Sequence, residues 1–381
     1  FTLGTANTFW DFTVNGGTLT NTVNHTINNQ LYVVSGTLTQ TGARTLTFGS
    51  TATNTPSLRC DGIINPNNGA GNDLICTFAN GTSTILGTAT DANFRLFNIN
   101  VNSGATLQAA TTGTVTVGLQ FGTMTVNGTG IVNFQNGAGV VNLNVVNTAS
   151  TYNFSNTAGT VNFNTLTISG GNTFRPIASG THTINFKGNL VNTGTYSTSN
   201  TTGIINTTFN GTTAQSIATS ATFQNLTIAN TAATVSYLGG TVTIASGRTL
   251  YIAPSARLDI GNQAMTITGA TVSVDGFFRR GGAIGAAAIT GGSAANFLIN
   301  NGGTYEHNYT SNQGIIPLAT WATGSTCAII GFTTGGTFSA STNLGQSFHH
   351  FTWNCPNQTA GLNLLGLLTT VNGNFTITST G

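Results

Sequence analysis

The chain has 381 residues, of which 39% are hydrophobic and only 4% are charged. Its net charge of +2 argues against nucleic acid as a partner, because neutralising phosphates needs clustered basic side chains. Its 23 Phe residues argue against disorder, since disordered chains lack the apolar residues that build a core. Two strong helix formers, Glu and Lys, are nearly absent, with one residue of each, which favours an all-β protein.

The first segment, 1–90, predicts an N-terminal β region. Thr-Leu-Thr runs at 18–20, 37–39 and 45–47 have the two-residue period of half-buried strands. Residues 54–76 break this pattern and predict a loop or insertion.

Four cysteines occur as two close pairs, Cys60 with Cys76 and Cys327 with Cys355. This local pairing predicts two disulfides and therefore an oxidising compartment. Two pairs of buried free thiols are the alternative. The chain contains no Cys-x-x-Cys and no His at metal-site spacing, so we expect no metal site and no cofactor.

The second segment, 91–304, predicts regular coils. The run 97–102 alternates apolar residues with Asn, so its apolar side chains share one face. Between 161 and 168 the parity of the apolar residues changes, and a bend near Asn164 would let both halves face one interior. The expected core residues are Phe97, Ile99, Val101, Leu143, Phe163, Leu166, Ile168, Leu226 and Ile228.

Similar units recur along the chain about every 17–24 residues, near the length of one turn of a β-solenoid. Asn and Thr are abundant enough to stack in ladders on successive coils, and charges that would repel in such ladders are nearly excluded. A β-sandwich would also have short strands, but no hairpin spacing dominates. We therefore predict a parallel β-helix or β-solenoid, a single elongated rod of short irregular coils.

The third segment, 305–381, predicts modified coils of the same architecture, with the second cysteine pair and most of the Trp and His residues. Its Glu306-His307 pair near His349-His350 could bind a metal or act as base and acid, but the two His neighbours in a strand would face opposite ways. Aromatic residues that could stack on sugar rings are Trp10, Trp321, Trp353, Tyr305 and Tyr309.

Polysaccharide-degrading β-helix enzymes work with paired carboxylates, and no two acids here are adjacent or at i, i+2. Coils could bring Asp61, Asp73 and Asp91 together, whereas the simpler interpretation is that each acid caps a turn. We therefore predict that the chain is not an enzyme and has no catalytic residues.

The Thr-x-Thr runs could stack into a flat grid of hydroxyls and methyls that resembles the face of β-solenoid ice-binding proteins. They are scattered and interrupted by Asn-x-Asn strands, which favours a solubilising outer wall instead.

Several motifs resemble those of giant repetitive cell-surface proteins of Bacteroidota. These motifs lie at 186–194, 209–217, 223–228, 327–331, 344–348, 351–356 and 371–377. The resemblance covers roughly residues 90–381 and implies display as an adhesin or fibre, often after type IX secretion. It brings no catalytic residues.

The sequence thus predicts an extracellular structural protein, a section of a bacterial surface fibre, sheath or adhesin. A carbohydrate-binding adhesin domain is the first alternative, and a polysaccharide-degrading β-helix enzyme is the second. The expected partners are further copies of the chain, through filament or lateral stacking, and surface glycans. No apolar run is long enough to cross a membrane, and the ends suggest part of a longer polypeptide.

Overall fold

The computed structural model of the chain describes most of its residues. The described ranges are 1–49, 55–64, 74–90, 93–109, 116–127, 130–136, 139–145, 150–154, 160–168, 170–171, 173–178, 180–198, 202–218, 220–282, 289–310 and 314–381.

The described chain is all-β, and its parallel sheets stack as a β-solenoid of about 13 turns, which confirms the predicted fold class. Among the described residues the only helical element is a 3-10 turn, Ala340–Thr342, so none of them forms a helix that could span a membrane. Of the described strand pairs, one is antiparallel, and it joins 135–136 to 139–145.

The chain divides into two compact units, unit 1 (Phe1–Asn206) and unit 2 (Thr207–Gly381). The strands of unit 1 are β1 (Thr2–Leu3), β2 (Thr8–Val14), β3 (Thr18–Asn21), β4 (His25–Val33), β5 (Thr37–Gln40), β6 (Arg44–Gly49), β7 (Ser57–Cys60), β8 (Ile63–Ile64), β9 (Leu74–Gly87), β10 (Arg95–Val101), β11 (Ala105–Ala109), β12 (Thr116–Val126), β13 (Ile131–Asn133), β14 (Gln135–Asn136), β15 (Gly139–Val145), β16 (Ser150–Phe154), β17 (Thr160–Phe163), β18 (Leu166–Ile168), β19 (Thr173–Ala178), β20 (Thr181–Phe186), β21 (Leu190–Asn192) and β22 (Thr195–Ser197).

Strand β23 (Ile204–Phe209) contains the boundary between the units. The strands of unit 2 are β24 (Gln215–Ile217), β25 (Ala221–Phe223), β26 (Asn225–Ile228), β27 (Thr234–Tyr237), β28 (Thr241–Ile244), β29 (Thr249–Ile252), β30 (Arg257–Asp259), β31 (Ala264–Thr266), β32 (Thr271–Val274), β33 (Phe277–Gly282), β34 (Ile289–Thr290), β35 (Phe297–Ile299), β36 (Thr304–Tyr309), β37 (Thr320–Trp321), β38 (Thr326–Ile329), β39 (Gly336–Thr337), β40 (Ser347–Phe348), β41 (His350–Asn354), β42 (Leu362–Asn363), β43 (Thr370–Val371) and β44 (Phe375–Ser379).

At some corners of the coils, the residue parity that points inward changes. In β9, Leu74, Cys76 and Phe78 are buried, but after the exposed Gly81 the buried residues have the opposite parity. Gly81 has φ 58°, a left-handed conformation that glycine adopts without steric cost. The same change occurs where 160–163 gives way to 166–168, as the sequence predicts.

The core is a set of inward columns in which each side chain lies over its counterpart one coil away. Seven of the nine expected core residues are buried, which confirms that part of the prediction. The side chains of Phe97 and Leu143 lie outside the described residues. Parallel strands pair about 4.8 Å apart, so stacked apolar side chains pack without gaps.

Most of the described strands of unit 2 form three faces, in which neighbouring strands are usually three apart in chain order. One face runs β24, β27, β30, β33, β36, β38, β41 and β44, a second runs β25, β28, β31 and β34, and a third runs β26, β29, β32, β35 and β37. The first face carries most of the charged side chains of this unit.

Candidate functional site

The first face of unit 2 carries a charged column. Asp259, Arg279 and Glu306 are register neighbours on three successive coils and all point outward. The Arg279 Nε donates to Glu306 Oε2 at 2.7 Å, and its Nη1 lies 3.8 Å from Asp259 Oδ2. Arg257 reaches past Phe277, whose ring it covers at 4.5 Å, to donate both Nε and Nη2 to Glu306. The column therefore links three coils through one carboxylate.

Behind this column lies a buried polar cluster. Arg280 is only 2% exposed and donates to the Gln263 carbonyl at 3.5 Å, while the Tyr305 hydroxyl lies 3.0 Å from His307 Nδ1. Burial raises the pKa of Tyr305 well above 10 and also raises the pKa of Tyr309, and the Arg280 charge opposes both shifts. Both phenols are therefore neutral at physiological pH.

The structure does not bring Glu306-His307 and His349-His350 together, which removes the metal or acid–base alternative considered for them. Glu306 points outward to two guanidinium groups, whereas His307 points into the core. His350 lies two strands further along the same face, and its Nδ1 accepts the Asn374 amide. The expectation that the two neighbouring His face opposite ways is wrong, because β41 starts only at His350 and the two rings meet at 4.3 Å.

Asp61, the first of the three acids that coils could bring together, stabilises a corner of the coil by hydrogen bonds. Asp61 accepts the Tyr32 hydroxyl at 2.8 Å and both the amide and the hydroxyl of Thr88. Burial would raise the pKa of Asp61, but these hydrogen bonds lower it below the ordinary value. Asp73 and Asp91 lie outside the described residues, so the alternative in which coils bring them to Asp61 is not tested.

Two acids of unit 2 hold corners in the same way. Asp275 accepts the Tyr251 hydroxyl at 2.7 Å and the Asn300 amide at 2.6 Å. Asp259 accepts the Gly261 amide at 2.8 Å, two residues further on. Asp259 therefore caps a turn, as the simpler interpretation of the sequence expects, whereas Asp275 links side chains of neighbouring coils. Among the described residues, no three His, Cys, Asp or Glu side chains gather closely enough to hold a metal ion.

The two predicted disulfides are not formed, and all four cysteines are buried free thiols. Cys327 pairs with Phe351, four residues before Cys355, which places the two Cα atoms roughly 13 Å apart along the strands. Cys60 pairs with Gly87 at the end of β9, while Cys76 lies near its start. A disulfide needs Cα atoms within about 7 Å.

Burial keeps these thiols in the protonated, unreactive form. It raises the pKa of Cys60 and of Cys76 to about 12, and it also raises the pKa of Cys327 and Cys355. Thiolate, the reactive form, is therefore scarce. The cysteines no longer support the inference of an oxidising compartment.

The five predicted sugar-stacking residues separate by exposure. Tyr305 and Tyr309 are fully buried and Trp353 is 6% exposed, so the prediction that they stack on sugars is wrong. Their inward parity places them in the core columns. Trp321 is half-buried, and its indole nitrogen donates to a glutamine side chain. Trp10 alone among the five is largely exposed, at 56%.

Outward Thr and Asn residues form uncharged columns. In unit 1, Thr47, Thr77, Asn100 and Thr125 are register neighbours on four successive strands, and the Asn100 amide donates to Thr77 Oγ1 at 3.4 Å. In unit 2, a second column consists of Thr222, Thr243, Thr266 and Thr290. The predicted Asn/Thr ladders are therefore present.

Buried corner amides are the functional feature that the sequence interpretation missed. Gln215 accepts the Gly211 amide at 2.9 Å, and Asn230 donates to both Gln215 and the Thr213 carbonyl. Asn230 also accepts the two backbone amides of residues 232 and 233. These side chains supply the hydrogen bonds that the turning backbone cannot make to itself.

A second glutamine repeats this role in the third segment. Gln346 accepts the Ala319 amide and the Trp321 indole N–H, and it donates to the carbonyls of Pro317 and Asn343. The recurring Gln-Ser-apolar triplet, at 215–217 and 346–348, is the sequence signal that could have identified both corners.

No protein-family model, no curated protein and no solved structure matches the chain. The resemblance to surface proteins of Bacteroidota therefore remains a prediction from sequence motifs.

Proposed function

We propose that the protein is an extracellular structural protein, a section of a bacterial surface fibre, sheath or adhesin. The β-solenoid acts as a scaffold in this role and performs no chemistry. The observation that carries the proposal is the continuity of the columns from coil to coil, both inside and on the outer walls.

In the inner columns, the side chains of each coil pack against their register partners in the next coil. In unit 1, one column runs His25, Leu46, Cys76, Ile99 and Met124, all of them buried. Every position of such a column loses its contacts if a neighbouring coil opens, so local opening is costly. A protein that must survive outside the cell benefits from this property, because proteases cleave opened backbone.

The outer walls suit an exposed position as well. Asn side chains of unit 1 donate across coils, Asn100 to Thr77 Oγ1 at 3.4 Å and Asn185 to Asn162 Oδ1 at 2.9 Å. Uncharged walls also allow copies of the chain to approach without charge repulsion, which supports the proposed self-association.

Immunogold electron microscopy of intact source cells tests the proposal. We expect label outside the cell, along filaments or a surface layer. Label confined to the cell interior would contradict the extracellular assignment. As a second readout, proteinase K should leave the described coils intact under conditions that digest an unfolded control, and rapid digestion to small peptides would contradict the scaffold role.

A second candidate, a carbohydrate-binding adhesin domain, is favoured by Trp10. An exposed Trp offers a flat apolar face that sugar rings can stack on. An array of neutral glycans, probed with the wild-type chain and with Trp10→Ala, tests this second candidate. Thr13→Ala in the same strand is the matched control. Binding that Trp10→Ala removes supports the glycan site, whereas equal binding by all three proteins contradicts it.

A further inference from the structure

One wall of unit 1 carries a column of side chains in which primary amides follow one another from coil to coil. The strands β7, β9, β11, β13, β17 and β20 pair in parallel, and each also has a paired neighbour on its other side. Their register aligns one outward, half-buried residue of each strand: Ser57, Thr84, Gln108, Asn133, Asn162 and Asn185. The column therefore lies within the stack of coils.

A second column runs beside the amides, two residues earlier on the same strands from β9 onward. It consists of Thr82, Thr106, Ile131, Thr160 and Thr183. Ile131 is the one apolar member of this column, and it is 43% exposed. Neither column contains a charged residue. The two columns together are called the amide wall.

The amides have more hydrogen-bonding capacity than the contacts between coils use. A primary amide has two N–H donors, and its carbonyl oxygen has two lone pairs. Asn185 donates one N–H to Asn162 Oδ1 at 2.9 Å, which leaves the second N–H of Asn185 and one lone pair of that oxygen for a partner outside the column. Successive coils lie about 4.8 Å apart. The wall therefore presents donors and acceptors at a constant step along the solenoid.

The chemistry of the amide wall selects its ligand. Because both columns are uncharged, they do not attract an acidic polymer or nucleic acid. A constant step between hydrogen-bonding groups favours a partner that also repeats, since many contacts then form along one chain. Every unit of a neutral polysaccharide has hydroxyl groups that donate and accept. The carbon-bound hydrogens of a sugar ring form an apolar face, which matches the exposed side chain of Ile131.

We propose that the amide wall binds a neutral polysaccharide chain that lies along the stack of coils. Hydroxyl groups of successive sugars exchange hydrogen bonds with Asn133, Asn162 and Asn185, and one sugar ring packs on Ile131. The inference rests on the proposed surface role and names a ligand class for it. Water competes for each of these contacts, so affinity comes from their number along one chain.

Biolayer interferometry with the immobilised 381-residue chain tests the length dependence of binding. The probes are a soluble β-glucan, a galactomannan and an arabinoxylan, with the acidic polysaccharide alginate as control. We expect at least one neutral polymer to bind, equally at low salt and in 1 M salt, and its trisaccharide to bind about 100-fold more weakly. Alginate should not bind. A wild-type chain that binds none of the three neutral polymers, or that binds polymer and trisaccharide equally, overturns the proposal.

Removing amides locates the binding on this wall. Asn133→Ala with Asn162→Ala removes two neighbouring amides and should weaken polymer binding roughly tenfold. Asn98→Ala with Asn100→Ala is the matched control, because it removes two outward amides from a different wall of the same unit. Equal losses in the two double variants would overturn the assignment to the amide wall. Urea unfolding checks that each variant is folded, and the length dependence, measured on the wild-type chain, decides the proposal where one is not.

Removing the apolar contact is an independent test of the same wall. Ile131→Ala should also weaken polymer binding, whereas Leu238→Ala, which truncates an exposed apolar residue of unit 2, should leave it unchanged. Binding that Trp10→Ala removes and Ile131→Ala does not would support the second candidate function and overturn the amide wall.

The competing occupant of the amide wall is a second copy of the chain. Sedimentation velocity of the wild-type chain and of Ile131→Lys distinguishes the two occupants. Oligomers that Ile131→Lys dissociates would show that copies meet at this wall and would overturn the polysaccharide assignment. Absence of polysaccharide binding overturns the amide wall but leaves the scaffold function standing, and immunogold labelling then decides that function separately.

Discussion

One outer wall of unit 1 and one outer wall of unit 2 stack different side chains on the same coil spacing. In unit 1 the uncharged column of Thr47, Thr77, Asn100 and Thr125 relies on hydroxyl and amide groups. In unit 2 the charged column alternates in sign, with Arg279 between Asp259 and Glu306. Side chains about 4.8 Å apart repel if they carry like charges. A solenoid wall therefore tolerates charge where neighbouring coils supply opposite signs, and otherwise remains uncharged.

Substitutions in the inner columns should lower the free energy of unfolding by similar amounts in the two units, although the outer walls compared here differ. Phe186 in unit 1 and Phe278 in unit 2 are fully buried among aromatic rings. Phe186→Ala and Phe278→Ala should each lower the free energy of unfolding by about 3–5 kcal/mol, because each leaves a cavity. Urea unfolding of both variants measures this loss. A loss below about 1 kcal/mol in one unit only would show that its core is not packed as described.

Removing the shared carboxylate should break the charged column. Glu306→Gln leaves Arg257 and Arg279 with a neutral partner, and we expect a loss of about 2 kcal/mol in the free energy of unfolding. This value is below that of a fully buried ion pair because both guanidinium groups are partly exposed. Thr125→Val in the uncharged column is the control and should change stability by less than about 0.5 kcal/mol. Equal losses of stability in Glu306→Gln and Thr125→Val would contradict the difference between the charged and the uncharged column.

Charges introduced into the uncharged column test directly whether charged side chains on neighbouring coils must have opposite signs. Thr77 and Asn100 are register partners, so Thr77→Arg with Asn100→Arg places like charges opposite each other. We expect this double variant to be about 1 kcal/mol less stable than the pair Thr77→Glu with Asn100→Arg. The difference should shrink in 1 M salt, where charges are screened. Equal stability of the two double variants would contradict the rule.

The smallest expected effect concerns acid sensitivity in unit 1. Burial lowers the pKa of His25, whose Nδ1 accepts the Asn7 amide. The folded state then binds fewer protons than the unfolded state, whose His titrates near pH 6.5, so this stability is full above about pH 6.5 and falls as the pH drops below it. His25→Leu should reduce the pH dependence of the urea midpoint between about pH 6.5 and 5. An unchanged slope would show that His25 does not titrate differently on folding.

The sequence by itself determined the local structure of this protein. Alternation identifies the strands, and the parity change between Phe163 and Leu166 identifies a corner, because a two-residue period decides which side chains share a face. The shortage of charge, with abundant Thr and Asn, predicts the uncharged ladders. These features depend on residues close together along the chain.

Only the tertiary structure decided which residues meet across coils. Close sequence spacing suggests that Cys327 joins Cys355, yet the register places Phe351 opposite Cys327. Likewise, Arg257 reaches Glu306 two coils away, a pair that no sequence spacing predicts. The physical reason is that register is set by the number of residues in each corner, and these irregular corners change that number from one coil to the next.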